Sequence, residues 1–248
     1  MAEEIDKSLP ALLQAAQLMR ILRGPNGCPW DQSQGFANIA PYTVEEAYEV
    51  MDAIERGDMK ELKTELGDLL FQVLFHSAIA EDEHEFTLDD VCQDLIDKMV
   101  RRHPHVFADG PAPDWETQKD KERMGRILDG VAIALPALMR AQKLQKRAAR
   151  AGFDWPHVQG VYEKLDEEIT ELREAVEPSQ FHEEIGDLLF TVVNLARHHG
   201  VDAEAALRDA NTKFQTRFER VEDTLGDTLK DASLEQMDAA WREAKRDG

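Results

Sequence analysis

Apolar residues along this chain recur every three to four positions. In one stretch they fall at Leu66, Leu69, Leu70, Val73 and Leu74, in another at Leu188, Leu189, Val192 and Val193, the spacing that lines one face of a helix. Period-two runs of β-branched residues, the mark of strands, do not occur in the sequence. Helix ends are also signalled. Thr43-Val44-Glu45-Glu46 and Ser233-Leu234-Glu235-Gln236 read as capping boxes, and Gly200 reads as a stop after His198 and His199, whose imidazolium form suits a helix C-terminus. "GPNGCPW" at 24–30 and "DGPAPDW" at 109–115 read as loops. The pattern predicts an all-α protein in which antiparallel helices bury their apolar stripes against one another.

The helical pattern occurs twice. "LPALLQAAQLMRIL" at 9–22 is answered by "LPALMRAQKLQKRA" at 135–148, and "CPWD" at 28–31 by "GFDW" at 152–155. "EEAYEVMDAI" at 45–54 is answered by "EEITELREAV" at 167–176, and "ELGDLLF" at 65–71 by "EIGDLLF" at 184–190. Lys98 and Arg102 correspond to Lys213 and Arg217, and Trp115 and Lys119 to Trp241 and Lys245. Landmarks repeated in one order predict a tandem duplication, with an N-terminal helical domain over 1–122 and a C-terminal one over 123–248.

Each copy carries paired acids at helical spacing. Glu46 and Glu49 share a helix face, as do Glu168 and Glu171; on the following helix Glu65 pairs with Asp68, and Glu184 with Asp187. Two facing helices that each present such a pair enclose four carboxylates, which repel one another unless a cation lies among them. An all-oxygen set without Cys or His favours Mg²⁺, with Mn²⁺ as the second choice, over zinc. Magnesium shares its remaining positions with waters and substrate phosphates, so a phosphorylated substrate is expected. A single acidic pair is an ordinary solvated helix face; two pairs in register, each followed by Lys-x-x-x-Arg and Trp-x-x-x-Lys, are not.

Composition narrows the function further. A formal charge of −21 repels nucleic-acid backbones and anionic membranes, while leaving room for a small phosphorylated ligand where a divalent ion and local cations reverse the field. Cys28 and Cys92 read as reduced thiols rather than a disulfide framework. The acidic start "MAEEIDKSLP" has no apolar segment of signal-peptide length, and no stretch reaches the roughly 20 apolar residues of a membrane span. A cytoplasmic protein without nucleic-acid or membrane partners is expected.

"EExxE" followed by "ExxD" on helices, together with "CPWD", "RRHPHVF", "LPALMRAQKLQKRA", "GFDW" and "GDLLF", resembles the MazG-type nucleoside triphosphate pyrophosphohydrolases, and the tandem arrangement is similar to the two-domain bacterial members over essentially the whole chain. The resemblance implies an all-α NTP pyrophosphohydrolase fold, a homodimer, Mg²⁺ dependence, and hydrolysis of (d)NTPs to monophosphate and pyrophosphate in nucleotide-pool housecleaning. Carried onto this sequence, it implies that Glu168, Glu171, Glu184 and Asp187 hold Mg²⁺, with Glu46, Glu49, Glu65 and Asp68 as the equivalent set in the first copy. Lys213, Arg217 and Lys245 would then bind the triphosphate, Asn211 a ribose or phosphate oxygen, and Trp241 would pack near the nucleotide; Lys98, Arg102, Trp115 and Lys119 are the first copy's equivalents. Glu167, Glu168 and Glu171 are the catalytic candidates, with Glu167 or Glu168 as the base that activates water. Ile96 stands where the second copy has Asn211, which points to the C-terminal copy as the main catalyst.

Other chemistries fit less well. A ferritin-like di-metal redox bundle requires Glu-x-x-His pairs, and Phe181-His182-Glu183-Glu184 runs in the wrong order. A non-catalytic nucleotide-sensing or protein-interaction bundle is the alternative. His103 and His105 read as part of a structured loop rather than a metal pair, and neither a P-loop nor a GxSxG motif is found.

Overall fold

The computed structural model describes residues 4–108 and 125–246, whose regular structure is helical, with no strand among them. The chain divides into two compact units, Met1–Arg123 and Met124–Gly248. The first contains α1 (Ala11–Arg23), α2 (Pro29–Ser33), α3 (Phe36–Arg56), α4 (Met59–Asp82), α5 (Leu88–Arg102) and α6 (Pro104–Phe107). The second contains α7 (Ala137–Arg150), α8 (Val158–Glu174), α9 (Pro178–His198), α10 (Ala203–Leu225), a 3₁₀ turn (Gly226–Asp231) and α11 (Leu234–Arg246).

In each unit a tight connection folds two long helices back on each other. Between α3 and α4, Gly57 takes a left-handed conformation (φ 68°) that ends the first helix. Asp58 then caps the second, its carboxylate accepting from the backbone N–H groups of Lys60 and Glu61 at 3.0 Å each. Between α8 and α9 the turn is made differently. Pro178 opens α9, where its missing N–H costs nothing, and the Gln180 carboxamide oxygen accepts from the N–H groups of Val176 and Glu177 at 3.0 and 2.9 Å.

The first unit's core joins α1, α3 and α4 through Met19, Ile39, Leu74, Phe75 and Ile79, all buried. Burying side chains of this size stabilises by about 1.5–3 kcal/mol each. The Phe75 ring meets the edges of Trp30 and Phe71, and the Arg23 guanidinium lies 5.4 Å from its centroid. In the second unit Val161, Val193, Val221, Ala240 and Ala244 are buried. Two glutamines of α7 are buried beside them, and both are anchored: Gln145 donates to the Phe190 carbonyl (2.8 Å) and Gln142 to that of Val201 (3.1 Å).

Several sequence-derived boundaries need correction. Thr43 is not a cap, because α3 already begins at Phe36, its entry fixed by Gly35, whose N–H donates to the Asn38 side chain at 3.4 Å. Thr43 lies inside the helix, and its hydroxyl is hydrogen-bonded to His76 of α4 at 2.9 Å. "HPHVF" forms the short helix α6 rather than a loop, and the Pro-Trp that ends "GPNGCPW" opens α2. "DGPAPDW" lies outside the described residues. The other signals have the predicted geometry: Ser233 and Gln236 exchange capping bonds (2.8 and 3.3 Å), α9 ends at His198, and Gly200 is left-handed at φ 68°.

Candidate functional site

The hairpins bring the acids level with one another. Glu49 stands seven residues before the end of α3 and Glu65 six after the start of α4; Glu168 stands six before the end of α8 and Glu184 six after the start of α9. Helices that run antiparallel from a tight turn rise equally per residue, so carboxylates at similar distances from the turn meet. Ligand atoms of Glu46, Glu49 and Glu65 lie within 4.8 Å of one another, and so do those of Glu168, Glu171 and Glu184. The fourth acid in each sequence motif, Asp68 or Asp187, is exposed. It stands outside the tight trio, although Asp68 acts electrostatically on Glu46 and Glu65, and Asp187 on Glu184.

Crowding shows in the proton affinities. Burial, then a hydrogen bond and repulsion from Glu49, raise the pKa of Glu46 above the ordinary Glu range, with Asp68 and Glu65 adding to it. Glu65 is raised by desolvation and by Glu49 and Asp68, and Glu184 by desolvation followed by Glu171, Glu183, Glu168 and Asp187. Each cluster therefore opposes its own ionisation, the condition a bound cation relieves. In the second copy Glu168 is only 3% exposed. Its Oε1 accepts from Lys164, while its Oε2 is buried without a hydrogen-bond partner. A buried carboxylate oxygen with a free lone pair, beside two further carboxylates, is a donor set that fits a hard divalent ion.

The predicted phosphate-binding groups sit on other helices. Lys213 and Asn211 are exposed and Arg217 is half-buried on α10, while Trp241 and Lys245 stand on α11, which packs along α10. Lys98 and Arg102 are half-buried at the end of α5, and Trp115 and Lys119 lie outside the described residues. Sequence reasoning missed two features of the second copy. The ring of Phe214, 59% exposed, lies 5.2 Å from that of Trp241 and is stacked on Phe218 at 6.1 Å. The adjacency of Phe214 to Lys213, and its four-residue spacing from Phe218, were the available signals. The second feature is Lys164, one turn before Glu168. His103 and His105, with rings 5.7 Å apart, belong to neither acidic cluster; His103 instead bonds the Met99 carbonyl at 2.7 Å.

Comparison with known proteins bears on this geometry. The MazG nucleotide pyrophosphohydrolase domain matches the chain twice, at residues 34–107 and 158–222, spans that contain both carboxylate trios. The chain is 50% identical over 249 residues to the nucleoside triphosphate pyrophosphohydrolase of Escherichia coli (strain K12), covering 92% of this chain and 95% of that protein. It is 42% identical over 242 residues to the nucleoside triphosphate pyrophosphohydrolase/pyrophosphatase MazG of Thermotoga maritima, covering 94% of each. It is also 39% identical over 150 residues to the nucleoside triphosphate pyrophosphohydrolase of Mycobacterium tuberculosis, covering 57% of this chain and 46% of that protein.

Proposed function

The chain belongs to the MazG nucleotide pyrophosphohydrolase family, and from that membership we propose a division of labour in which the carboxylates of the second copy carry the reaction. The protein is an enzyme, a nucleoside triphosphate pyrophosphohydrolase. Its reaction converts (d)NTPs to monophosphate and pyrophosphate, serving nucleotide-pool housecleaning in the cytoplasm. The observation that carries the site assignment is the partnerless, buried Glu168 Oε2 beside Glu171 and Glu184.

Glu168, Glu171, Glu184 and Asp187 would hold Mg²⁺, which when bound neutralises charge on the phosphate oxygens. Mn²⁺ would fit the same oxygen set. The protein's own groups do the rest. Lys213, Arg217 and Lys245 hold the phosphate chain, with Arg217 able to engage two oxygens at once. Asn211 bonds a ribose or phosphate oxygen, and Trp241 with the exposed Phe214 offers the base an aromatic surface. Water adds to the α-phosphorus as the bond to the α–β bridging oxygen breaks, pyrophosphate leaves, and the water proton passes to Glu167 or Glu168, both oriented by Lys164. Glu46, Glu49, Glu65 and Asp68, with Lys98, Arg102, Trp115 and Lys119, would be the equivalent set of the first copy, weaker in catalysis because Ile96 replaces Asn211.

A homodimer is also proposed. Support comes from apolar side chains left exposed in each unit, among them Leu95, Ile96 and Val100 on α5 and Leu189, Phe190 and Val192 on α9.

Hydrolysis in ¹⁸O-labelled water tests the bond that is cleaved. Attack at the α-phosphorus puts the label in the monophosphate and leaves pyrophosphate unlabelled. Label in pyrophosphate would place the attack at the β-phosphorus and overturn the proposed alignment.

A further inference from the structure

The two carboxylate clusters differ in one charge. In the second copy Lys164 Nζ lies 2.5 Å from Glu167 Oε1 and 2.8 Å from Glu168 Oε1. In the register that aligns Glu46 with Glu168, the residue in the place of Lys164 is Tyr42, which is exposed. Among the described residues no Lys or Arg makes an ion pair with Glu46, Glu49 or Glu65. On a solvated helix a Lys–Glu pair at this spacing contributes only a few tenths of a kcal/mol. Here the acceptor is 3% exposed, its second oxygen has no partner, and two more carboxylates stand within 4.8 Å. The ammonium is itself one-third exposed, but the Glu168 carboxylate it meets is desolvated, so this one pair is screened less than a pair on an open helix face.

We propose that Lys164 is a built-in counter-cation that occupies one Glu168 oxygen and lowers the affinity of the second cluster for a free divalent ion below that of the first. The inference rests on the reading of both clusters as divalent-ion sites. An ammonium on a ligand oxygen competes with an incoming ion for that oxygen and repels it across a few ångströms. The first cluster offers the ion three acids with no such competitor and binds it alone. The second gains from an ion chiefly when a triphosphate arrives with it, because the phosphates give Lys164 another anion to face. Lys164 is thus a positioning residue: it holds Glu167 and Glu168 in place before substrate arrives and makes loading of the second copy depend on nucleotide. The distinction between the copies lies in when each takes its ion as well as in the groups that meet the nucleotide.

The test uses full-length protein and Mn²⁺ alone, followed by electron paramagnetic resonance. Glu49→Gln with Glu65→Gln leaves only the second cluster; Glu171→Gln with Glu184→Gln leaves only the first. The first-cluster protein is expected to bind Mn²⁺ at least about tenfold more tightly than the second-cluster protein. Adding Lys164→Met to the second-cluster protein should tighten binding by a similar factor, and adding Tyr42→Lys to the first-cluster protein should weaken it. Tyr42 is exposed, so this reciprocal change reads out even if the Lys164 variant folds poorly. Equal affinities unmoved by either substitution, or weaker binding in Lys164→Met, would overturn the role of Lys164 while leaving the ion sites in place. Absence of Mn²⁺ binding from every protein would instead overturn the reading of the clusters on which the proposal depends.

Discussion

Glu184 shows the cost of crowding carboxylates at one place. Its pKa is raised by desolvation and by Glu171, Glu183, Glu168 and Asp187, so the folded state binds this proton more tightly than the unfolded chain does. The stability this group supplies is present below the ordinary Glu value of 4.5 and is lost as pH rises through the raised value. At neutral pH, Glu184→Gln removes a repelled charge. The variant is expected to melt at a higher temperature than the natural protein in chelator, and to gain less from added Mg²⁺, as scanning calorimetry would show; a lower melting temperature in chelator would contradict the crowding. The residue types and their spacing were legible from sequence, because i,i+3 and i,i+4 rules place acids on a face without coordinates. The burial of Glu168 and the position of Lys164 against it were not. A Lys four residues before a Glu normally marks a solvated face, and only packing shows that the Glu of this pair is buried.

At the level of the element, repeats and hairpins were legible but helix starts were less so. Pro41 stands inside α3. It removes a backbone donor early in α3 and argues for a helix that begins after it, yet Ile39, just before it, is buried in the core with Met19 and Phe75. Tertiary burial outweighs that local cost, so the helix begins at Phe36 and the apparent box at Thr43 lies inside it. The loop before α8 illustrates a contact no periodicity reveals. Asp154 accepts from both terminal guanidinium nitrogens of Arg197, at 2.9 and 2.5 Å, and lies 3.1 Å from His198 Nε2, tying "GFDW" to the end of α9. The Arg197 bonds, followed by those of His198, hold the Asp154 carboxyl below the ordinary Asp range. Its contribution to stability is present above the unfolded value of about 3.9 and disappears as pH falls through the depressed one. Asp154→Asn is expected to destabilise by about 1–3 kcal/mol in urea unfolding at neutral pH, with the difference from the natural protein vanishing at strongly acidic pH. A pH-independent difference would assign the effect to packing instead.

Across the whole molecule, duplication of the helical unit was readable from the order of its landmarks, whereas what covers the apolar faces was not. Leu189 and Val192, both exposed, belong to the same period that marks a buried stripe, and periodicity does not distinguish a face that packs within the chain from one that packs against a second copy. Light scattering is expected to give twice the 28.1 kDa chain mass, and Leu189→Glu to shift it toward the monomer; a monomer in the natural protein would leave those faces without an occupant. The central claim is that the facing acids of α8 and α9 drive the chemistry, ahead of their counterparts on α3 and α4. It is tested most directly by measuring pyrophosphate release from a panel of (d)NTPs with Mg²⁺ for Glu171→Ala and Glu49→Ala, each checked for unchanged helical circular dichroism. The account predicts that Glu171→Ala falls by at least about a hundredfold while Glu49→Ala keeps most of its activity. Full activity in Glu171→Ala, or equal losses in the two variants, would contradict it.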